Sequence, residues 1–177
     1  NYIEPIKLPQ YYQADDRWGT KRYGLSNMKL TGCVPTALAM AISGLKEDVN
    51  PVQVADFLYV MTMELNTTFL GTSSLGVQEV VSQWGLNYKV IDSKEELEET
   101  LKSGTLVYGA VGHGIFVNGY STHAVLLTGY ENGKTKAFDP DNMAKTNKWY
   151  NIDDIWKERS LAPEDNMTGG AFIAIYK

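Results

Sequence analysis

The segment Lys29-Leu-Thr-Gly-Cys-Val-Pro-Thr-Ala-Leu-Ala-Met-Ala-Ile-Ser43 constrains this chain more than any other. Its second half is dominated by Ala, Leu and Met, which are strong helix formers. Pro35 suits the first turn, where a missing N–H costs nothing. Cys33 therefore stands at or just ahead of a helix start, after Gly32, which lets the backbone turn sharply. A sulfur placed there meets unpaired N–H groups and the positive end of the helix dipole, both of which favour its anion. The sequence holds 1 cysteine, so no intramolecular disulfide claims it. Two readings stand side by side: a nucleophile awaiting a histidine, or a small buried hydrophobe.

Charge and length narrow the field. The formal net charge is −5, with both signs interspersed and no basic stripe, which argues against a nucleic-acid partner. No run of eighteen apolar residues is present, so no membrane span is expected. A chain of 177 residues fits a single domain, 1–177, with a mainly helical lobe over about 1–104 and a mainly sheet lobe over about 105–177. Asn1 begins no signal peptide, leaving a cytosolic chain or a trimmed piece of an exported one. The triplets Asn66-Thr-Thr68 and Asn166-Met-Thr168 match glycosylation acceptors and hint at surface loops.

Residues 1–23 read as irregular or short-stranded, with Tyr11, Tyr12, Trp18 and Tyr23 as rings that pin the segment across a core. Within it, Gln13 is either an amide donor to a site or a solvent-facing loop residue, the default for glutamine. Asn50-Pro51 caps a second helix, and Met61 and Met63 are read as packing. Gly71-Thr-Ser-Ser74 caps a third helix that stops at Gly85. Ser93-Lys-Glu-Glu96 is a capping box opening a charged helix. From Thr105 the character changes. Leu106 to Val111, Ser121 to Tyr130, Lys134 to Phe138 and Gly170 to Tyr176 read as strands, broken by a short helix from Asp153 to Arg159. Helices first and mostly antiparallel strands after predict an α+β fold.

The sequence holds 2 histidines. His113 lies in a glycine-flanked loop, while His123 heads a strand apolar on both faces and hence central. A histidine at a strand end is usually structural, but an acid on the returning strand would fix its tautomer and give it a chemical use. Asn132-Gly133 allows a two-residue turn, which would set Asp139 opposite Leu126, on the wrong face for His123. A three-residue loop with Gly133 as a bulge sets Asp139 opposite Val125 instead, about 7–8 Å diagonally from His123 between Cα atoms. The bulged loop is therefore predicted. It also sets Asp141 directly opposite His123, as the reserve acid.

Taken together, Tyr11-Tyr-Gln-Ala-Asp-Asp-Arg-Trp18, Gly32-Cys-Val-Pro-Thr-Ala-Leu-Ala-Met40, Thr122-His-Ala-Val-Leu-Leu-Thr-Gly-Tyr130 and Phe138-Asp-Pro140 resemble the C39-like peptidases, within the papain-like cysteine proteases. The resemblance implies a papain-like fold, with Cys33 as nucleophile, His123 as general base, Asp139 as its orienter and Gln13 as an oxyanion donor. Gln13 lies much further before the cysteine than its counterpart in papain, which makes Asn27 the fallback donor. Val34 stands where the family usually has Gly, and its branched side chain is expected to narrow the cleft or alter the backbone. The implied activity is a thiol peptidase cutting a peptide or isopeptide bond. Alternatives are a peptidoglycan amidase or peptidase, an acyl transferase on the same dyad, and a silent peptide-binding module. The implied partner is a peptide or protein substrate, and the implied setting a bacterial, exported or surface-attached protein. No cofactor is implied, and no close ligand spacing supports a metal.

Overall fold

The computed structural model describes residues 1–61 and 72–177. The expectations placed on Met63, the Asn66 triplet and Gly71 lie outside the described residues, as does that on the Met61 side chain. In chain order the elements are β1 (Tyr2–Ile3), β2 (Arg22–Tyr23), β3 (Ser26–Asn27), α1 (Met28–Thr31), α2 (Cys33–Leu45), α3 (Pro51–Met61) and α4 (Ser74–Gln83). There follow β4 (Asn87–Ile91), α5 (Lys94–Lys102), β5 (Leu106–Val111), β6 (His123–Glu131), β7 (Lys134–Phe138), β8 (Lys148–Asn151), α6 (Ile152–Lys157) and β9 (Phe172–Tyr176).

The local signals explain the helix starts. Asn50 and Gln53 cap α3 reciprocally: Asn50 Oδ1 accepts from the Gln53 N–H at 3.0 Å and Gln53 Oε1 from the Asn50 N–H at 2.9 Å. Ser73 caps α4, and Ser93 Oγ accepts the Glu96 N–H at 3.0 Å to open α5. The Glu96 carboxylate reaches back one residue further than a capping box predicts, to the Asp92 N–H. Gly32 separates α1 from α2 for a reason the sequence reading missed. Its φ of −93° is open to any residue, but a Cβ there would come within 2.5 Å of the Met28 carbonyl oxygen. Space, not backbone freedom, demands the glycine.

The sheet runs β4-β9-β5-β6-β7-β8, with β1 added beside the far end of β6, and every pairing is antiparallel. Strand alternation sends Leu106, Tyr108, Ala124 and Leu126 to one face, against α2, α3 and α4. Val107, Val125 and Leu127 go to the other, against Leu97 and Leu101 of α5 and Ile152 and Ile155 of α6. Helices thus cover both faces rather than standing beside a bare sheet. α2 is enclosed throughout: every residue from Val34 to Ile42 is buried. Fully burying Leu38, Met40 and Ile42 contributes about 1.5–3 kcal/mol for each side chain.

The β6–β7 hairpin combines both of the turns that the sequence offered. Leu126 faces Phe138 and Thr128 faces Lys136, which is the register predicted from a bulged loop. The loop itself is different. Glu131 faces Lys134, and Asn132 and Gly133 have φ of 47° and 80°, so the turn is a tight two-residue one. The extra residue lies within β6, between Thr128 and Glu131, where Gly129 has φ of 83°. The prediction of a bulge at Gly133 is corrected accordingly. Gly129 is favoured there because the Pro5 ring crosses its Cα side, and a Cβ would approach it to 2.7 Å.

Gly129 and Gly133 therefore differ in a measurable way. Alanine at either position carries the left-handed penalty of about 1–2 kcal/mol. At Gly133 nothing lies within 4 Å of the new methyl, whereas at Gly129 the Pro5 ring does. Urea unfolding should find Gly129→Ala clearly more destabilised than Gly133→Ala. Equal losses would mean that the β1 arm does not hold its place against the bulge.

Candidate active site

The first turn of α2, the start of β6 and the end of β7 meet at one edge of the fold. Cys33 is the first residue of α2 and is partly exposed. Gly32, at the N-cap, supplies no side chain to the helix start. Its carbonyl accepts both the Thr36 N–H at 3.1 Å and the Thr36 hydroxyl at 2.7 Å, which fixes the turn beneath the sulfur. A cavity of about 630 Å³ opens at this point, and Cys33, Val34 and His123 line it together. Leu30, Tyr108, Tyr120, Thr122, Asp165 and others complete its wall.

His123 Nε2 and Asp139 Oδ1 are 2.6 Å apart. The register that follows the Gly129 bulge makes this contact possible across the β6–β7 pair. Asp139 is 1 % exposed. Its Oδ1 also accepts the Asp141 N–H at 2.8 Å, and its own backbone N–H donates to Thr146 Oγ1 at 3.0 Å, so the residue is held at both its carboxylate and its main chain. Its Oδ2 has no hydrogen-bond partner among the described residues. Asp141, the reserve acid, lies exposed, and its backbone N–H rather than its carboxylate takes part in the arrangement.

Burial is the largest single influence on His123, and alone it would lower the imidazole's pKa. The hydrogen bond to Asp139 opposes it, followed by interaction with the Cys33 side chain and the charges of Cys33 and Asp139. Together they win, and His123 is pushed up to about 10. The imidazolium is thereby held at neutral pH between an acid and a sulfur. The Asp139 charge is also felt by Tyr12 and Tyr150, whose phenols are raised first by burial and then by that carboxylate.

Gln13 is 3 % exposed, not the solvent-facing loop residue that glutamine usually is. Its backbone N–H donates to the Pro140 carbonyl at 2.8 Å, tying the N-terminal arm to the residue after Asp139. Its side-chain Nε2 donates to the Lys29 carbonyl at 3.0 Å, in the turn that precedes Cys33. One amide proton is spent there and the second is left over. Trp18 anchors the arm by donating from its ring nitrogen to the Tyr12 carbonyl at 2.7 Å, and Tyr11 packs edge-on against it. Asn27, the fallback donor, is the N-cap of α1, its Oδ1 accepting the Leu30 N–H at 3.1 Å. Val34 is 5 % exposed and packs in the core, so it forms part of the cavity wall without sealing Cys33 from it.

His113 sits exposed in its loop. Among the described residues, no three His, Cys, Asp or Glu side chains gather as metal ligands, and no helix is long and apolar enough to cross a membrane. The sequence reading passed over Tyr108, Thr122 and Asp165. All three line the cavity, and only the folding of β5 and of residues 160–165 against it could reveal them.

Comparison with known proteins identifies the family and the fold. The model of the Peptidase_C39 like family matches residues 5–168. No curated protein matches the sequence. Among solved structures, the peptidase domain of Streptococcus ComA, a bi-functional ABC transporter involved in a quorum sensing pathway, is 18% identical with a TM-score of 0.61, over 97% of this chain and 96% of that one. A protein described as a C39-like peptidase from Bacillus anthracis is 17% identical with a TM-score of 0.63, over 99% and 98%. A double glycine motif protease from an AMS/PCAT transporter, in complex with the leader peptide, is 18% identical with a TM-score of 0.56, over 97% and 91%. These likenesses show the shared fold, mixed helix and antiparallel sheet of the papain-like kind.

The raised His123 pKa has a defined effect on stability. A group that is raised on folding contributes stabilisation present in full below its ordinary value of 6.5 and lost as pH rises through about 10. Asp139→Asn removes the main opposing influence and leaves burial in place. The imidazole titration, followed by proton NMR of its C–H signals, should then fall well below about 10. A midpoint that stays near 10 in Asp139→Asn would show that Asp139 is not what holds the proton.

Proposed function

The chain belongs to the C39-like peptidase family, and from that premise we propose that it is a thiol peptidase acting through Cys33, His123 and Asp139. The observation that carries the reading is a partly exposed sulfur at a helix start that shares one cavity with an imidazole already bonded to a buried carboxylate. With Nε2 engaged by Asp139, Nδ1 is the nitrogen left to serve the sulfur.

The reaction follows from these positions. The Cys33 sulfur attacks the carbonyl carbon of the scissile bond, and the electron pair of the C=O moves to oxygen. The Cys33 N–H at the uncapped helix start and the spare amide proton of Gln13 stabilise that oxyanion, each by about 2.7–4 kcal/mol. The tetrahedral species collapses, the C–N bond breaks, and His123 gives its proton to the departing amine. Water, deprotonated by the now neutral imidazole, then adds to the acyl–sulfur carbonyl. The C–S bond breaks, the acid leaves, and the Cys33 sulfur takes back the electron pair beside the reprotonated imidazole. Asp139 keeps the ring orientation and tautomer through both halves. A peptide is the substrate that the site suits. The exposed side chains of Leu30 and Tyr120 flank the cavity with apolar surface, and the double glycine motif protease of the same fold is seen with a leader peptide.

Iodoacetamide at pH 6 tests the nucleophile directly, since Cys33 is the only thiol. Alkylation should be much faster than that of free cysteine and should fall to that rate in His123→Ala. A wild-type rate no greater than free cysteine would leave a peptide-binding module instead. Once a substrate is in hand, Gln13→Ala should lower kcat by about 10²–10³-fold. Asn27→Ala should cost about 1 kcal/mol of stability through its lost cap, with kcat little changed. The reverse pattern would move the oxyanion donor to Asn27.

A further inference from the structure

The cavity has a second polar end that the proposed chemistry does not use. Residues 160–166 fold over β5 as a fixed loop. The Ser160 N–H donates to the Ala110 carbonyl at 2.8 Å, and Asn166 Nδ2 holds the Ser160 and Ala162 carbonyls at 3.0 and 2.8 Å. This loop delivers Asp165 to the cavity wall, 8 % exposed, with the Ser160 hydroxyl donating to its Oδ2 at 2.5 Å. Glu164 lines the cavity beside it. Apart from His123, no cationic side chain lines the cavity among the described residues.

Tyr108 provides an independent observation. It is 3 % exposed, lines the same cavity, and its hydroxyl makes no hydrogen bond to any described residue. Its neighbour in space, Tyr23, has its hydroxyl bonded to Thr72, as a buried phenol normally requires. Tyr108 also feels the charges of Asp165 and Cys33, which line the same cavity. Burial, first of all, and the Glu164 charge raise the Asp165 carboxyl, against hydrogen bonds from Ser160 and Thr122 that lower it. A buried acid beside a second acid is relieved by an incoming cation. The loop could have closed with a neutral residue; it holds an acid and leaves a phenol unpaired next to it.

We propose that Asp165, with Tyr108 beside it, is a specificity-determining pair that binds an ammonium or guanidinium group of the substrate next to the bond attacked by Cys33. The peptide class is thus one with a basic side chain or a free amino terminus at that position. This rests on the reading of Cys33 as the nucleophile.

Because Cys33 is the sole cysteine, the proposal can be tested without a known substrate. The probes are ω-aminoalkyl methanethiosulfonates, from ethyl to hexyl, each paired with its uncharged n-alkyl analogue, at pH 7.5. Rates are normalised to free cysteine. The best-fitting cationic arm should modify Cys33 about tenfold or more faster than its neutral partner, as a hydrogen-bonded charge pair would give. Asp165→Asn should abolish that ratio while leaving the neutral rate within twofold. A wild-type ratio equal to that of free cysteine at every length would overturn the proposal. So would an Asp165→Asn protein that slows both reagents alike, which would make Asp165 a staple for its loop. If Asp165→Asn does not fold, the wild-type ratio alone decides. The neutral rate by itself reports whether the thiol is activated, so failure of the nucleophile reading is seen separately from failure of cation recognition.

Discussion

The bond between His123 and Asp139 is the contact on which the site depends, and its geometry is set some distance away. Without a bulge, the tight Asn132-Gly133 turn would carry Asp139 one position along and onto the other face of the sheet. One extra residue at Gly129 restores the face. Pro5 packs against that glycine so closely that no side chain would fit there. The chain thus links its N-terminal arm to the acid of the site by two routes: Pro5 against the bulge, and the Gln13 N–H on the Pro140 carbonyl. An arm that looks like loose coil is a structural clamp.

Electrostatics reinforce that clamp. A buried carboxylate is costly unless it is bonded, and Asp139 has two donors on Oδ1 and none among the described residues on Oδ2. The remaining negative charge is best balanced by keeping the imidazole protonated. His123 accordingly stays cationic well above neutrality despite its burial. A protonated imidazole beside a sulfur suits acid catalysis of amine departure and disfavours a role as a resting base. The same arrangement would make a poor structural histidine, since a packed core gains nothing from a buried charge pair over apolar residues of equal volume.

Much of this was legible in the sequence, and the exceptions have physical causes. The helix starts were readable because capping is local: Asn50, Ser73 and Ser93 each declare themselves within four residues. The long apolar β6 and its partner β7 were readable from composition, and the register from the need to bring Asp139 to His123. The position of the bulge was not, because Gly129 shows its close packing only once Pro5, more than a hundred residues away in the chain, is folded against it. Gln13 resisted for a similar reason: only the folded arm shows that a glutamine among aromatic rings is buried. β8 was missed because Lys148-Trp-Tyr-Asn151 is short and half-exposed, with its order supplied by β7.

Val34 shows how far a departure from a family pattern can be interpreted physically. Where a glycine would leave the second residue of α2 without a side chain, the valine fills part of the core and the cavity wall at once. A β-branched residue in the first turn is also held to essentially one side-chain rotamer beside the sulfur. The N–H groups of that turn are the fixed dipoles on which an oxyanion would depend, and preorganised donors are more effective than mobile ones. The packing of Val34 into the core holds that turn in place beside the cavity.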